Sequence, residues 1–468
     1  MMLLYETIAE LLLRAIEQGI YRQGERLPSV RKISEQQRVS IATVISALHK
    51  LEDQGIIEAR QRSGYYVRCR LRSTLLEPTV SQPVCQPMPV TGQALVLSLA
   101  KASNNTMLVQ LGAAVPAPSY LPIALLERSL SSCSRRYRNR GAGYEFPPGS
   151  LELRRQIARR MTENGCPTNP TDLVITNGCQ EAITLALRAV AQPGDIIAIE
   201  SPTFYGLLQV IESLDLKAIE IPTHPRHGIS LEALQLACEQ WPVRACIVVP
   251  NFSNPLGFCM SDQHKRELVG LADRFDIALI EDDVYGDLGF GLQRPSIAKT
   301  WDINGRVLHC SSFSKSLSGG LRIGWIAPGR YFEKVEYLKY VTNLATPTIA
   351  QLAIAELLEK GGFERYLRQV SNQYVRGVER MMNAISIHFP GETRCTQPAG
   401  GFVLWVELPE RIDAIKLTQK AVDVGISIAP GPIFSATQKY RNFIRLNCAC
   451  EWDENVERAL VRLGRLMD

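Results

Sequence analysis

The sequence predicts an α/β chain in which a large domain, built on a mostly parallel mixed sheet with a smaller α+β part at its C-terminal end, follows a small helical module. Three observations carry this. Short apolar runs at 173–176 (LVIT), 196–199 (IIAI), 246–249 (CIVV), 277–280 (IALI) and 307–310 (VLHC) alternate with amphipathic segments, the pattern of strands buried between helices. A stretch over 73–94 holds Pro78, Pro83, Pro87 and Pro89 with little charge, which reads as a linker stiffened toward polyproline II. Ahead of it, residues 1–72 carry helix patterns and then a hairpin pattern. The expected domains are therefore 1–72, a linker over 73–94, and 95–468. Fully extended, 22 linker residues would reach at most about 68 Å at ~3.1 Å each.

In the first domain, Ile8, Leu12, Ala15 and Ile16 share a helical face that Gly19 closes. Ser29 suits the N-cap of a helix over 30–37. Ser40 suits that of a helix over 41–54, which Gly55 ends. Gln37-Arg38-Val39-Ser40 is the turn between them, and 56–60 with 65–68 read as two strands around Arg62-Ser63-Gly64. Helix, helix-turn-helix and hairpin make a winged helix, whose second helix would enter a major groove. The charge agrees: 12 basic against 8 acidic side chains in residues 1–72, and 40 against 39 in the other 396. Most of the net charge of +5 thus lies in the first sixth of the chain, which favours a nucleic-acid partner.

Other classes fall away. No apolar run nears the roughly 18 residues of a membrane helix. Glu6 and Glu10 interrupt the N-terminal segment where a secretory signal would be apolar. Twelve cysteines form no CxxC pair, so neither a metal site nor a disulfide framework is expected, and the expected location is a reducing cytoplasm.

Over 24–67 the residues GERLPSVRKISEQQRVSIATVISALHKLEDQGIIEARQRSGYYV resemble the GntR-family DNA-binding signature. The resemblance implies DNA contacts from Arg31, Arg38, Ser40, Thr43 and Arg62, with Gly64 shaping the wing. It departs at Ile41, where the family usually has arginine, and at Arg38, where it often has glycine.

The chemical signal of the large domain is Ser312-Phe313-Ser314-Lys315, followed by Gly320, Arg322, Gly324 and Trp325. A lysine after a strand can condense with an aldehyde, while serine hydroxyls and a guanidinium hold a phosphate dianion. Alone, it would be an ordinary lysine in a serine-rich loop. Glu281-Asp282-Asp283-Val284-Tyr285 ends another strand, and three acids compete there to keep a cofactor ring nitrogen protonated. Asn254 lies in an Asn-Pro turn after a third strand, and Gly178-Cys179-Gln180 opens a helix where backbone N–H groups bind phosphate. Arg445 could equally be a salt-bridged strand residue. Arg135, Arg136, Arg138 and Arg140 read as a solvated helix end or a second DNA patch.

In this order, over roughly 110–450, the motifs resemble a fold-type-I pyridoxal-phosphate enzyme of the aminotransferase class. The resemblance implies pyridoxal 5′-phosphate bound at Lys315, with Asp282 on the ring nitrogen and Glu281 and Asp283 structural. It puts Tyr285 and Asn254 on the ring oxygen and Phe204, rather than Tyr205, stacked on the ring. Gly178, Cys179, Gln180, Ser312, Ser314 and Arg322 would hold the phosphate, and Arg445 a substrate or effector carboxylate. Tyr144, in YEFPPG (144–149), would reach the neighbouring subunit's phosphate, which implies a homodimer. The whole chain resembles the MocR-type transcription regulators. The expected function is a regulator that binds operator DNA and senses an amino-acid or amine effector. The alternative is a metabolic aminotransferase with an incidental winged helix, since all the residues for transamination are present. Effector, operator and the sign of regulation are not written in the sequence.

Overall fold

The computed structural model describes residues 4–17, 20–21, 25–53, 56–60, 63–67, 75–80, 82–83, 85–90, 96–97, 99, 101–102, 105, 107–291 and 293–467. It divides into two units, Met1–Thr74 and Leu75–Asp468.

The first unit has helices Leu4–Glu17, Val30–Gln37 and Ile41–Asp53 and an antiparallel pair, Ile57–Arg60 with Gly64–Val67. Ile8, Leu12, Ile33, Val44, Leu48, Leu51, Ile57 and Val67 form its core. Ala9 joins them, while Ala15 and Ile16 are only half-buried. Both caps form: Ser29 Oγ accepts the Lys32 N–H at 3.3 Å and Ser40 Oγ the Thr43 N–H at 3.1 Å. Arg38 closes the helix before the turn in the left-handed region, at φ 53°. That conformation favours glycine and explains the glycine of the related pattern. Gly64 has φ 102°, and a Cβ there would lie 3.2 Å from the Arg26 guanidinium. Gly19, Gly55, Arg62 and Arg68 lie outside the described residues.

The second unit is built on a nine-stranded sheet. Five strands run parallel, in spatial order Lys217–His224, Ile196–Ser201, Val243–Val248, Ala278–Asp282 and Val307–Ser312. Gly324–Ala327 then runs antiparallel and Val174–Thr176 returns beside it. Alternate residues serve opposite faces: Ile197, Ile199, Ala245 and Ile247 pack with helix Cys179–Val190, whereas Ile196, Ala198, Cys246 and Val248 join the core on the other side. Burial on both faces is why these strands read as unbroken apolar runs. Helices Phe332–Asn343, Thr348–Glu359 and Phe363–His388 follow. The C-terminal part is an antiparallel sheet ordered Arg394–Cys395, Val403–Glu407, Phe443–Asn447, Ala429–Pro430, followed by helix Glu454–Arg465, which Asp453 caps.

The segment expected as a linker differs. From Leu75 onward it belongs to the large unit. The Leu76 carbonyl accepts the Cys395 N–H at 2.9 Å. Glu77 pairs with Arg226 at 2.6 Å. The Glu407 carboxylate takes both the Thr79 N–H (2.8 Å) and hydroxyl (3.0 Å), and Met88–Pro89 adds an edge strand to the large sheet. Prolines are tolerated at such an edge. A reach computed for 22 free residues therefore does not apply.

Candidate functional site

The predicted residues of the large unit converge at the carboxyl ends of the parallel strands, where open α/β sheets hold their ligands. Strand Val307–Ser312 leads into Lys315, Ala278–Asp282 ends on Asp282, Val243–Val248 precedes Asn254, and Val174–Thr176 precedes Gly178.

Lys315 Nζ donates to the Ala114 carbonyl at 2.7 Å. Burial, and then the Arg445 cation, push its pKa down to about 8, so far more of the amine is neutral and nucleophilic near neutral pH than for an exposed lysine, although the ammonium still predominates at pH 7.

Asp282 is buried, and burial pushes its carboxyl up to about 6 against the hydrogen bonds that favour its ionised form. It accepts from the Val284 N–H (3.2 Å) and from the Cys179 thiol (3.4 Å), and among the described residues no cation pairs with it. Its neighbours are engaged elsewhere. Asp283 pairs with Arg294 and accepts the Asn251 amide at 2.8 Å. Glu281 takes the Ala298 N–H at 2.7 Å and faces His309 Nδ1 at 3.3 Å. Of the three acids, Asp282 alone has no basic partner among the described residues.

Asn254 Nδ2 donates to the Tyr285 hydroxyl at 3.3 Å, while its Oδ1 accepts from Arg445 at 3.1 Å. The amide is thereby oriented with its donor toward Tyr285, whose hydroxyl burial holds above the usual phenol range. Arg445 is wholly buried beside the Tyr205 and Phe434 rings, 5.8 and 5.1 Å from their centroids. It also bonds the Gly112 carbonyl, and its Nε has no partner among the described residues. A buried guanidinium with an unmet donor suits a carboxylate.

Gly178 has φ 83° at the start of helix Cys179–Val190, and no side chain caps that end. A Cβ at Gly178 would collide with the Arg322 guanidinium, so glycine is required for the close approach. Arg322, itself left-handed at φ 55°, donates to the Asn177 carbonyl (2.9 Å) and to Ser314 Oγ (3.3 Å). Ser312 Oγ accepts the Ser314 N–H at 3.3 Å, and Gln180 is held on the Gly206 carbonyl at 2.8 Å. Helix N–H groups, two hydroxyls and a guanidinium form an anion cradle. Phe204 ends the loop after Ile196–Ser201, its ring 4.7 Å from that of Tyr205.

Tyr144 lies apart from this cluster, 72% exposed and stacked on Phe146. Arg140 is paired with Glu145 and Glu152, which removes it from a free basic patch. Sequence reasoning did not find the thiol contact of Cys179, the carbonyls of Gly112 and Ala114, or Phe434. Among the described residues no group of three or more His, Cys, Asp or Glu could hold a metal, and no helix is long and apolar enough to cross a membrane.

The sheet order, the lysine after its strand and the buried aspartate define the large unit as a fold-type-I aminotransferase-like domain. The comparisons with known proteins agree. The model of aminotransferase class I and II matches residues 131–463, and that of the bacterial regulatory proteins of the gntR family matches residues 4–67. The chain belongs to the family in which a gntR-type winged helix is joined to a class I and II aminotransferase domain, the MocR-type arrangement. It is 43% identical to the uncharacterized HTH-type transcriptional regulator YjiR of Escherichia coli strain K12, over 98% of each chain. It is 39% identical to YdcR of the same organism, described in the same words, over 99% of this chain and 98% of that one. The kynurenine aminotransferase of Pyrococcus horikoshii, solved in complex with PMP, is 28% identical with a TM-score of 0.74, covering 81% of this chain and 96% of that one. The donor set fits the cofactor of this family, pyridoxal phosphate: an anion cradle, a buried carboxylate lacking a cation, and a lysine of lowered pKa.

Proposed function

We propose that the protein is a pyridoxal-phosphate-dependent, DNA-binding transcription regulator that senses an amino-acid or amine effector. The observation that carries this reading is one chain holding both a winged helix with exposed basic residues and an aminotransferase-type pocket whose donor set fits pyridoxal phosphate. When bound, pyridoxal phosphate supplies an electron sink and an aldehyde that amines can join. Lys315 would hold that aldehyde and accept or return a proton at Nζ. Asp282 would keep the ring nitrogen protonated, while Asn254 and Tyr285 bind the ring oxygen and Phe204 covers the ring. Gly178, Cys179, Gln180, Ser312, Ser314 and Arg322 would bind the phosphate, and Tyr144 would complete a partner's cradle in a homodimer. Arg445 would release Asn254 or Gly112 to grip an effector carboxylate. The cell's cytoplasm is the proposed location.

The route from effector to DNA is short in covalent terms. Arg445 stands opposite Trp405 in the C-terminal sheet. Two residues on, Glu407 holds Thr79, and Leu76 is bonded to Cys395 at the sheet edge. A shift of this sheet on effector binding would pull directly on the segment that leads back to the winged helix.

Arg31, Lys32 and Arg38 are exposed, so DNA affinity should fall steeply with salt as phosphates release counterions. Arg31→Ala should weaken all duplexes alike and lower the slope of log affinity against log salt by about 1. Binding titrations over a salt series check this. A slope near zero, or one unchanged in Arg31→Ala, would count against the assignment.

A further inference from the structure

Helix Ile41–Asp53 buries Val44, Ala47, Leu48 and Leu51, yet turns Ile41 and Ile45 outward at 49% and 38% exposure. Four residues apart, these two share one face of the helix's first two turns, directly after the Ser40 cap. Ala42, between them, is exposed as well. The surroundings are cationic: Arg31 and Lys32 on the preceding helix and Arg38 in the turn are exposed, and none has an ion-pair partner among the described residues. An apolar pair at the start of a helix, with exposed cations on the preceding helix and turn, matches a duplex major groove, where phosphates flank the base edges and the thymine 5-methyl is the apolar feature on offer.

We propose that Ile41 and Ile45 are specificity-determining residues that read the 5-methyl group of a thymine, while Arg31, Lys32 and Arg38 hold the flanking phosphates. The proposal rests on the DNA-binding reading above. It assigns base recognition to apolar packing, beside a Thr43 hydroxyl that is already shared with Ser40 Oγ at 2.8 Å.

The test starts from duplexes that the full-length protein selects from a randomised pool. Each thymine is then replaced in turn by deoxyuridine, which keeps the pairing and removes only the methyl. At one or two thymines the replacement should weaken binding about fourfold, the equivalent of one buried methyl at about 0.8 kcal/mol. In Ile41→Ala and Ile45→Ala that thymine-over-uracil preference should shrink, and in the double variant it should vanish. The double variant should still bind DNA with the wild-type salt slope, since the cations are untouched. Selected duplexes that tolerate uracil everywhere, or a double variant that keeps the preference, would overturn the proposal and leave DNA binding standing. If no duplex is selected, both fail, and the apolar pair belongs to a protein contact.

Discussion

Alanine in place of Lys315 should leave no cofactor attached to the protein after borohydride reduction, whereas the natural chain should retain it on a single peptide containing Lys315. The loss should be complete, because Lys315 is the strand-end amine that feels the charges of Arg445, Asp282 and Arg322. Mass spectrometry of the digest decides it. Covalent retention at another lysine in the variant would show that the pocket has been misassigned. The same amine has its pKa lowered to about 8 by burial and by Arg445. Attachment of added pyridoxal phosphate to the apo protein should therefore speed up as pH rises toward about 8 and level off above it, since only the neutral amine attacks.

Asp282→Asn should separate affinity from stability. Its ion pair with the ring nitrogen would be buried, and removing one partner of such a pair costs about 3–5 kcal/mol. Cofactor affinity should thus fall by more than roughly 100-fold. The apo protein should move the other way. The Asp282 carboxyl rises from 3.8 to about 6 on folding, so between those values the native state binds the extra proton and stability falls as pH rises. At pH 7 the ionised carboxylate opposes folding, and the amide should stabilise the apo protein by roughly 1–3 kcal/mol. Asp283→Ala should do the reverse, losing roughly 1–3 kcal/mol of stability, because the buried Asn251 amide loses an acceptor and Arg294 keeps only Asp287. Thermal unfolding and cofactor titration of both variants check the contrast. Equal cofactor loss in both, or an Asp282→Asn apo protein less stable than the natural one, would contradict the assignment of roles.

Much of the site is legible in the sequence because its chemistry follows the ends of apolar runs. Gly178, Asp282 and Lys315 each stand within a few residues of a strand buried on both faces. The strand Lys217–His224 is harder to see: it carries Glu220 and Pro222 and lacks the apolar continuity of its neighbours. Glu220 is buried there because Ser435 Oγ and the Ala436 N–H satisfy it, both at 2.7 Å, partners more than 200 residues away. The proline-rich segment misleads for the same reason. Composition reports its stiffness, but its fixing points, Glu407, Cys395 and Arg226, are distant in the chain. The winged helix is read closely because its caps and turn are local. Arg445 stands out in the sequence as a candidate for a carboxylate, yet its burial beside the Tyr205 and Phe434 rings depends on a loop that periodicity does not describe.

The central claim is that cofactor pocket and winged helix act as one device, coupled through the sheet that carries Arg445 and holds Thr79. Coupling of this kind is worth about 1–3 kcal/mol, a 5- to 150-fold change in affinity, and it is reciprocal. The direct measurement is a titration of the holo protein with amino acids and amines, followed by cofactor absorbance, with and without a duplex selected by the protein. The account predicts an effector whose affinity shifts at least fivefold when the duplex is present, with duplex affinity shifting by the same factor when the effector is present. Equal effector affinities in both titrations, for a compound that alters transcription in the cell, would contradict it.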